Sequence, residues 1–249
     1  MQVFDSHLHI IDSNFPLYEN NGFLPEPFTV DQYIQRVAPI GVTSGAVVSG
    51  SFQEFDQRYL VHALNALGNE FVGVTQLPVS VTDQEILNLN ECGVRAVRFN
   101  VRRGGSESIS ELSYFAARVF ELVNWHVELY ADHQALISLA PVLAGLPAVS
   151  IDHLGLDKRG IPLLKKFVEQ GVKVKATGFG RLDFDATALV RELYGINPDA
   201  LMFGSDLPST RAPSPFEDQH LFSLLECLDE NAAAKVCWSN ARKFYGFDV

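Results

Sequence analysis

Cysteine is scarce in this 249-residue sequence: Cys92, Cys227 and Cys237 are the whole set, and no two stand at a CxxC spacing. So odd and scattered a set builds neither a disulfide framework nor a thiolate zinc site, and the three read as free thiols in a reducing compartment. Basic charge is also in short supply. With 19 Lys and Arg against 30 Asp and Glu, the net charge is −11, which disfavours phosphate backbones and anionic bilayers and argues against a nucleic-acid partner. No uncharged apolar run is long enough to span a bilayer, and the first ten residues carry no basic segment ahead of an apolar one. Neither a membrane span nor an export signal is expected, and the cytoplasm is the expected location. A glycine-rich phosphate loop is missing as well. Gly178, Phe179 and Gly180 lack the third glycine and come late in the chain, so they read as a flexible loop and a nucleotide-binding doubly wound sheet is disfavoured.

What is present is 47% apolar residues, enough to bury a substantial core in one domain spanning 1–249. Short apolar runs near 3–9, 45–48, 71–76, 94–100, 126–130, 149–153, 172–176 and 201–204 have the length and composition of buried strands. Helical patterns lie between them, at 57–67, 109–123, 134–143, 162–169, 185–194 and 216–228. Thr29 and Gln32 have the spacing of a capping box ahead of a helix reaching about 37. Gly68, Gly93 and Gly171 stand where helices stop. Eight strands alternating with helices over this length predict an α/β fold of the (β/α)₈ TIM-barrel type, with 231–245 an extra C-terminal helix on its outside.

In such a barrel the working face lies at the C-terminal ends of the strands. His7 and His9 end the first run and, two residues apart in a strand, point to one side. Asp152 and His153 end the sixth, where unpaired ionisable groups are costly, and Asp206 follows the eighth. The competing reading is structural: two histidines hydrogen-bonded beneath a loop, and an aspartate capping the turn after its strand. Arg98, Arg102, Arg103 and Arg181 gather after the fourth and seventh strands, a cationic mouth in an acidic chain. Arginine suits carboxylates because its planar fork donates two parallel charge-assisted hydrogen bonds. Arg98 alternates with Ala96 and Asn100, which puts it at the inner rim.

Three motifs taken together, Asp5-Ser6-His7-Leu8-His9, Ile151-Asp152-His153-Leu154-Gly155 and Gly204-Ser205-Asp206-Leu207-Pro208, resemble the amidohydrolase-2 branch of the amidohydrolase superfamily. Within it the sequence is similar to the 2-pyrone-4,6-dicarboxylate lactonase and sugar-lactone hydrolase group, a likeness extended by the segments 93–100, 125–130 and 180–182. The resemblance implies a hydrolase that opens a small anionic, carboxylated lactone. By it Asp206 is the general base, His7, His9 and His153 surround the scissile carbonyl, and Arg98, Arg103, Tyr130 and Arg181 hold substrate carboxylates. After Asp206-Leu207-Pro208 this chain has Ser209, Thr210 and Arg211, where the dicarboxylate lactonases have an aromatic before the proline and a histidine after it. That departure leaves the identity of the lactone open.

His7, His9 and Asp206 would also supply three ligands to a single zinc ion. Metal-dependent relatives carry a further histidine at the end of the fifth strand, where this chain has Tyr130, so no required cofactor is expected. The alternatives are a zinc-dependent amidohydrolase or decarboxylase, a lactone isomerase, and a non-catalytic carboxylate-binding protein. His62, His126, His133 and His220 are expected to be structural or exposed, and the oligomeric state is not set by the sequence.

Overall fold

The computed structural model describes residues 1–248. Among these, eight parallel strands form: β1 (Val3–Leu8), β2 (Val42–Val48), β3 (Phe71–Thr75), β4 (Val94–Phe99), β5 (His126–Leu129), β6 (Val149–Ile151), β7 (Lys173–Ala176) and β8 (Leu201–Phe203). They pair in chain order. The ring is drawn together at its upper end, where Asp206 N–H donates to the His7 carbonyl (2.7 Å) and His9 N–H to the Leu207 carbonyl (2.8 Å). The architecture is the (β/α)₈ barrel expected from the alternation of elements.

Helices α1 (Val30–Val37), α2 (Arg58–Leu67), α3 (Asp83–Glu91), α4 (Leu112–Val123), α5 (His133–Leu143), α6 (Ile161–Glu169), α7 (Ala186–Ile196) and α8 (Asp218–Glu226) surround the strands. The capping box of α1 forms as expected: Thr29 accepts from Gln32 N–H, and the Gln32 side chain accepts from Thr29 N–H at 2.7 Å. Apolar periodicity does not single out α3, because it buries Ile86 and is otherwise mostly polar; its signal is the box of Thr82 and Glu85.

Side chains alternate between two layers. Val97, Phe99, Val127, Leu129, Val149, Ile151 and Val174 face the helices in the main core. Phe4, Ala46, Val72, Val74, Ala96 and Met202 form a separate apolar cluster. The C-terminal segment joins this cluster. It runs as α9 (Glu230–Ala234), a π turn (Lys235–Ser239) and α10 (Asn240–Phe244), and Tyr245 stacks on Phe4 at 5.5 Å. The extra helix therefore plugs the end of the barrel opposite the mouth, rather than covering its outside. In β1 the register against β2 shifts between Asp5 and Leu8. Leu8 consequently lies in the main core although strict alternation would pair it with Phe4, and His7 meets Asp152, just past β6, and Lys175 of β7.

Candidate active site

Gly204 lets the end of β8 approach β1, since a Cβ there would lie 2.9 Å from the His7 nitrogen. Asp206, at φ +63, and His153, at φ +51, then turn their side chains into the mouth from backbone conformations rare for non-glycine residues. Three imidazole nitrogens surround one carboxylate oxygen. Asp206 Oδ1 is 3.9 Å from His7 Nε2, 3.7 Å from His9 Nε2 and 4.0 Å from His153 Nε2, and all four residues are buried. The expected quartet is thus assembled. Gly178 makes room for it: at φ +65, its Cβ would lie 2.5 Å from His153 Nδ1, so this glycine is a packing requirement where a flexible loop was expected.

Burial sets the charges. It pushes the His7 imidazole down to about 4 against the partial opposition of Asp152, and holds His153 well below its ordinary value. Both rings are neutral at pH 7. Burial alone would raise the Asp206 carboxyl, but the Arg181 guanidinium, whose Nε donates to Oδ2 at 2.6 Å, holds it far below the usual carboxylate range. Arg181 Nη2 donates to the Thr210 carbonyl at 2.9 Å.

Tautomers decide what the nitrogens offer. His9 Nδ1 donates to the Val48 carbonyl at 2.7 Å, so the neutral form of this ring is the tautomer with its lone pair on Nε2. His7 Nδ1 stands between two groups, Lys175 Nζ at 3.5 Å and Asp152 Oδ1 at 3.4 Å. Donation from the ammonium puts the His7 proton on Nε2, facing Asp206; acceptance by Asp152 leaves a lone pair there. The site also fits a divalent cation. Ligand atoms of His7, His9 and Asp206 lie within 4.8 Å of one another, and His7 Nε2 and Asp206 Oδ1 are buried without hydrogen-bond partners.

Arg98 reaches the mouth from β4, as expected, but is committed there: Nη2 donates to Asp152 Oδ2 at 2.8 Å and Nη1 to the Ser49 carbonyl at 2.8 Å. Arg181 is held by Asp206 in the same way. Tyr130 and Arg103 line both a small inner cavity beside His9, His153 and Asp206 and the cavity of about 490 Å³ outside it. Sequence reasoning missed three contributors. Lys175 and Glu128, on β7 and β5, form a fully buried pair at 2.5 Å beneath His7. Arg211 lines both cavities. An inward lysine and glutamate in apolar strands is a signal for such a pair, whereas Arg211 carried none beyond its departure from the related motif. His126 Nε2 donates to Glu128 Oε1 at 3.2 Å below the site, and His62, His133 and His220 lie outside the quartet.

A family model described as Amidohydrolase matches residues 4–247. The chain is similar to 2-pyrone-4,6-dicarbaxylate hydrolase of Comamonas testosteroni, 26% identical over 245 residues that cover 87% of this chain and 80% of that protein. It is similar to 4-sulfomuconolactone hydrolase of Rhizobium radiobacter, 24% identical over 268 positions, covering 98% of this chain and 90% of the relative. The fold superposes on the crystal structure of a probable 2-pyrone-4,6-dicarboxylic acid hydrolase from Acinetobacter baumannii with citric acid bound, at a TM-score of 0.84 and 24% identity, covering 99% of this chain and 100% of that one.

Proposed function

The chain belongs to the amidohydrolase family, and on that premise we propose that it hydrolyses the ester bond of a small carboxylated lactone, with Asp206 activating water and no metal required. The observation that carries this reading is a single ionised carboxylate ringed by three imidazoles, those of His7 and His153 kept neutral by burial, at the foot of a cationic mouth. Water held by Asp206 Oδ1 and the Nε2 lone pair of His9 attacks the lactone carbonyl, and Asp206 takes its proton. His7, with Lys175 donating to Nδ1, offers Nε2–H to the developing oxyanion. As the ring C–O bond breaks, Asp206 returns the proton to the leaving oxygen, and a hydroxy acid results.

A second reading rests on the unpartnered His7 Nε2 and Asp206 Oδ1. A divalent cation held by His7, His9 and Asp206 would polarise the carbonyl and acidify a bound water. It requires His7 to donate from Nδ1 to Asp152.

Both readings are tested by proton release across a lactone panel, before and after dialysis against a strong chelator. Turnover that survives chelation, ignores added zinc and falls at least about a hundredfold in a folded Asp206→Asn variant is expected. Loss on chelation with recovery on zinc moves the reading to the metal, and unchanged turnover by Asp206→Asn removes that residue from the mechanism.

A further inference from the structure

The cations around the mouth differ in what faces them. On the rim, Arg102, Lys158 and Arg159 each stand opposite an aspartate, at 3.5, 3.7 and 2.5 Å. Arg98 and Arg181 are held by Asp152 and Asp206. Arg103 and Arg211 have no carboxylate within 4.0 Å among the described residues, yet both line the inner and outer cavities. They also act on each other: burial and then the charge of Arg103 disfavour the charged form of Arg211. Two guanidiniums brought together without an acid between them make an unfavourable pair that an anion relieves.

Arg211 is built into place. At φ +59 its side chain lies over the Phe23 ring, 4.3 Å from the centroid. Nη1 donates to Asn20 Oδ1 at 3.0 Å and Nη2 to the Asn20 carbonyl, which leaves three of the five N–H groups for a ligand. Asn20 Nδ2 in turn donates to the Arg103 carbonyl at 3.1 Å. One asparagine in the loop after β1 thus ties together the arginine-bearing loops after β4 and β8.

We propose that Arg211 is a specificity-determining residue which, with Arg103, forms a carboxylate subsite for an acidic group of the substrate distant from the scissile carbonyl. It rests on the carboxylated-lactone reading, keeps Arg103 from the expected set, and adds Arg211 in place of Arg98 and Arg181, which acids engage. Asn20 and Phe23 are its positioning residues.

Calorimetric titration with cyclohexanecarboxylate and cis-cyclohexane-1,3-dicarboxylate tests this without turnover. The dicarboxylate is expected to bind the wild-type protein at least about tenfold more tightly than the monocarboxylate. Arg211→Met and, separately, Arg103→Met should weaken dicarboxylate binding about ten- to a hundredfold, the loss of one charge-assisted hydrogen-bonded partner. Arg211→Lys should retain part of the affinity, as should Phe23→Leu and Asn20→Ala, with unfolding midpoints recorded for each. Dicarboxylate binding unchanged in folded Arg211→Met and Arg103→Met, or no advantage of the dicarboxylate in wild type, overturns the subsite. If no lactone is turned over while the variants lose binding, the subsite stands and the hydrolase mechanism falls.

Discussion

Asp206 has two demands on it in the proposed mechanism, to stay ionised while buried and to be basic enough to take a proton from water. Arg181 serves the first at the expense of the second, because the guanidinium that offsets burial also lowers basicity. Removing it takes away the largest opposition to burial, and burial raises the carboxyl. In Arg181→Met the acid limb of kcat/KM should therefore move to higher pH, with at least about a tenfold loss near pH 6 and less loss at alkaline pH. The profile is to be measured with an uncharged lactone, so that substrate recognition is not involved; an acid limb that stays put or moves lower rules the coupling out. At this scale the quartet was legible from strand-end residues and their motifs. The engagement of Arg98 was not: Asp152 lies 54 residues away, and only the closure of the barrel brings the ends of β4 and β6, on either side of β5, within reach of each other.

Polar residues inside a barrel are an element-level matter, since each strand supplies one side of a pair. β5 offers Glu128 and β7 offers Lys175, and both are fully buried, with the Tyr245 hydroxyl donating to Glu128 Oε1 at 2.5 Å from beyond α10. Lys175 holds Glu128 ionised against its burial. Deleting one charge leaves the other without compensation, so Lys175→Met should destabilise the fold by about 3–5 kcal/mol. The neutral double variant Lys175→Met with Glu128→Leu should recover most of that loss. Urea unfolding measures both, and equal destabilisation of single and double variants would show that packing, not charge, is at stake. Apolar strand runs announced β5 and β7, but a period-two pattern with both faces buried does not say which polar residues meet inside.

For the whole molecule, acid sensitivity follows from burying neutral imidazoles. His7 binds fewer protons folded than unfolded, so its contribution is intact above the unfolded value of 6.5 and is lost as pH falls toward the folded value of about 4. It alone costs about 2 kcal/mol at pH 5, and His153 and His126, lowered by burial, act in the same direction. Asp206 and Asp152, depressed by their cationic partners, contribute above their unfolded value of 3.8 and lose that only below it. Stability should hence decline in two stages, starting near pH 6.5. Urea midpoints at about pH 7.5 and about pH 5 check the first stage, and a midpoint unchanged or raised at the lower pH contradicts it.

The order of eight strands and of every surrounding helix but α3 was determined by the sequence itself, because apolar runs, caps and helix stops are local and each can be read where it stands; the mostly polar α3 was not read. The same holds for His7, His9, His153 and Asp206: the barrel gathers every strand end at one mouth, so position along the chain is enough to place them together. Charge pairing was decided by the tertiary structure alone. Whether an arginine is free or engaged depends on an acid that the chain brings up from another loop, and so Arg98 and Arg181 proved committed while Arg211, held by Asn20 and Phe23 from the far end of the sequence, stands open to the mouth.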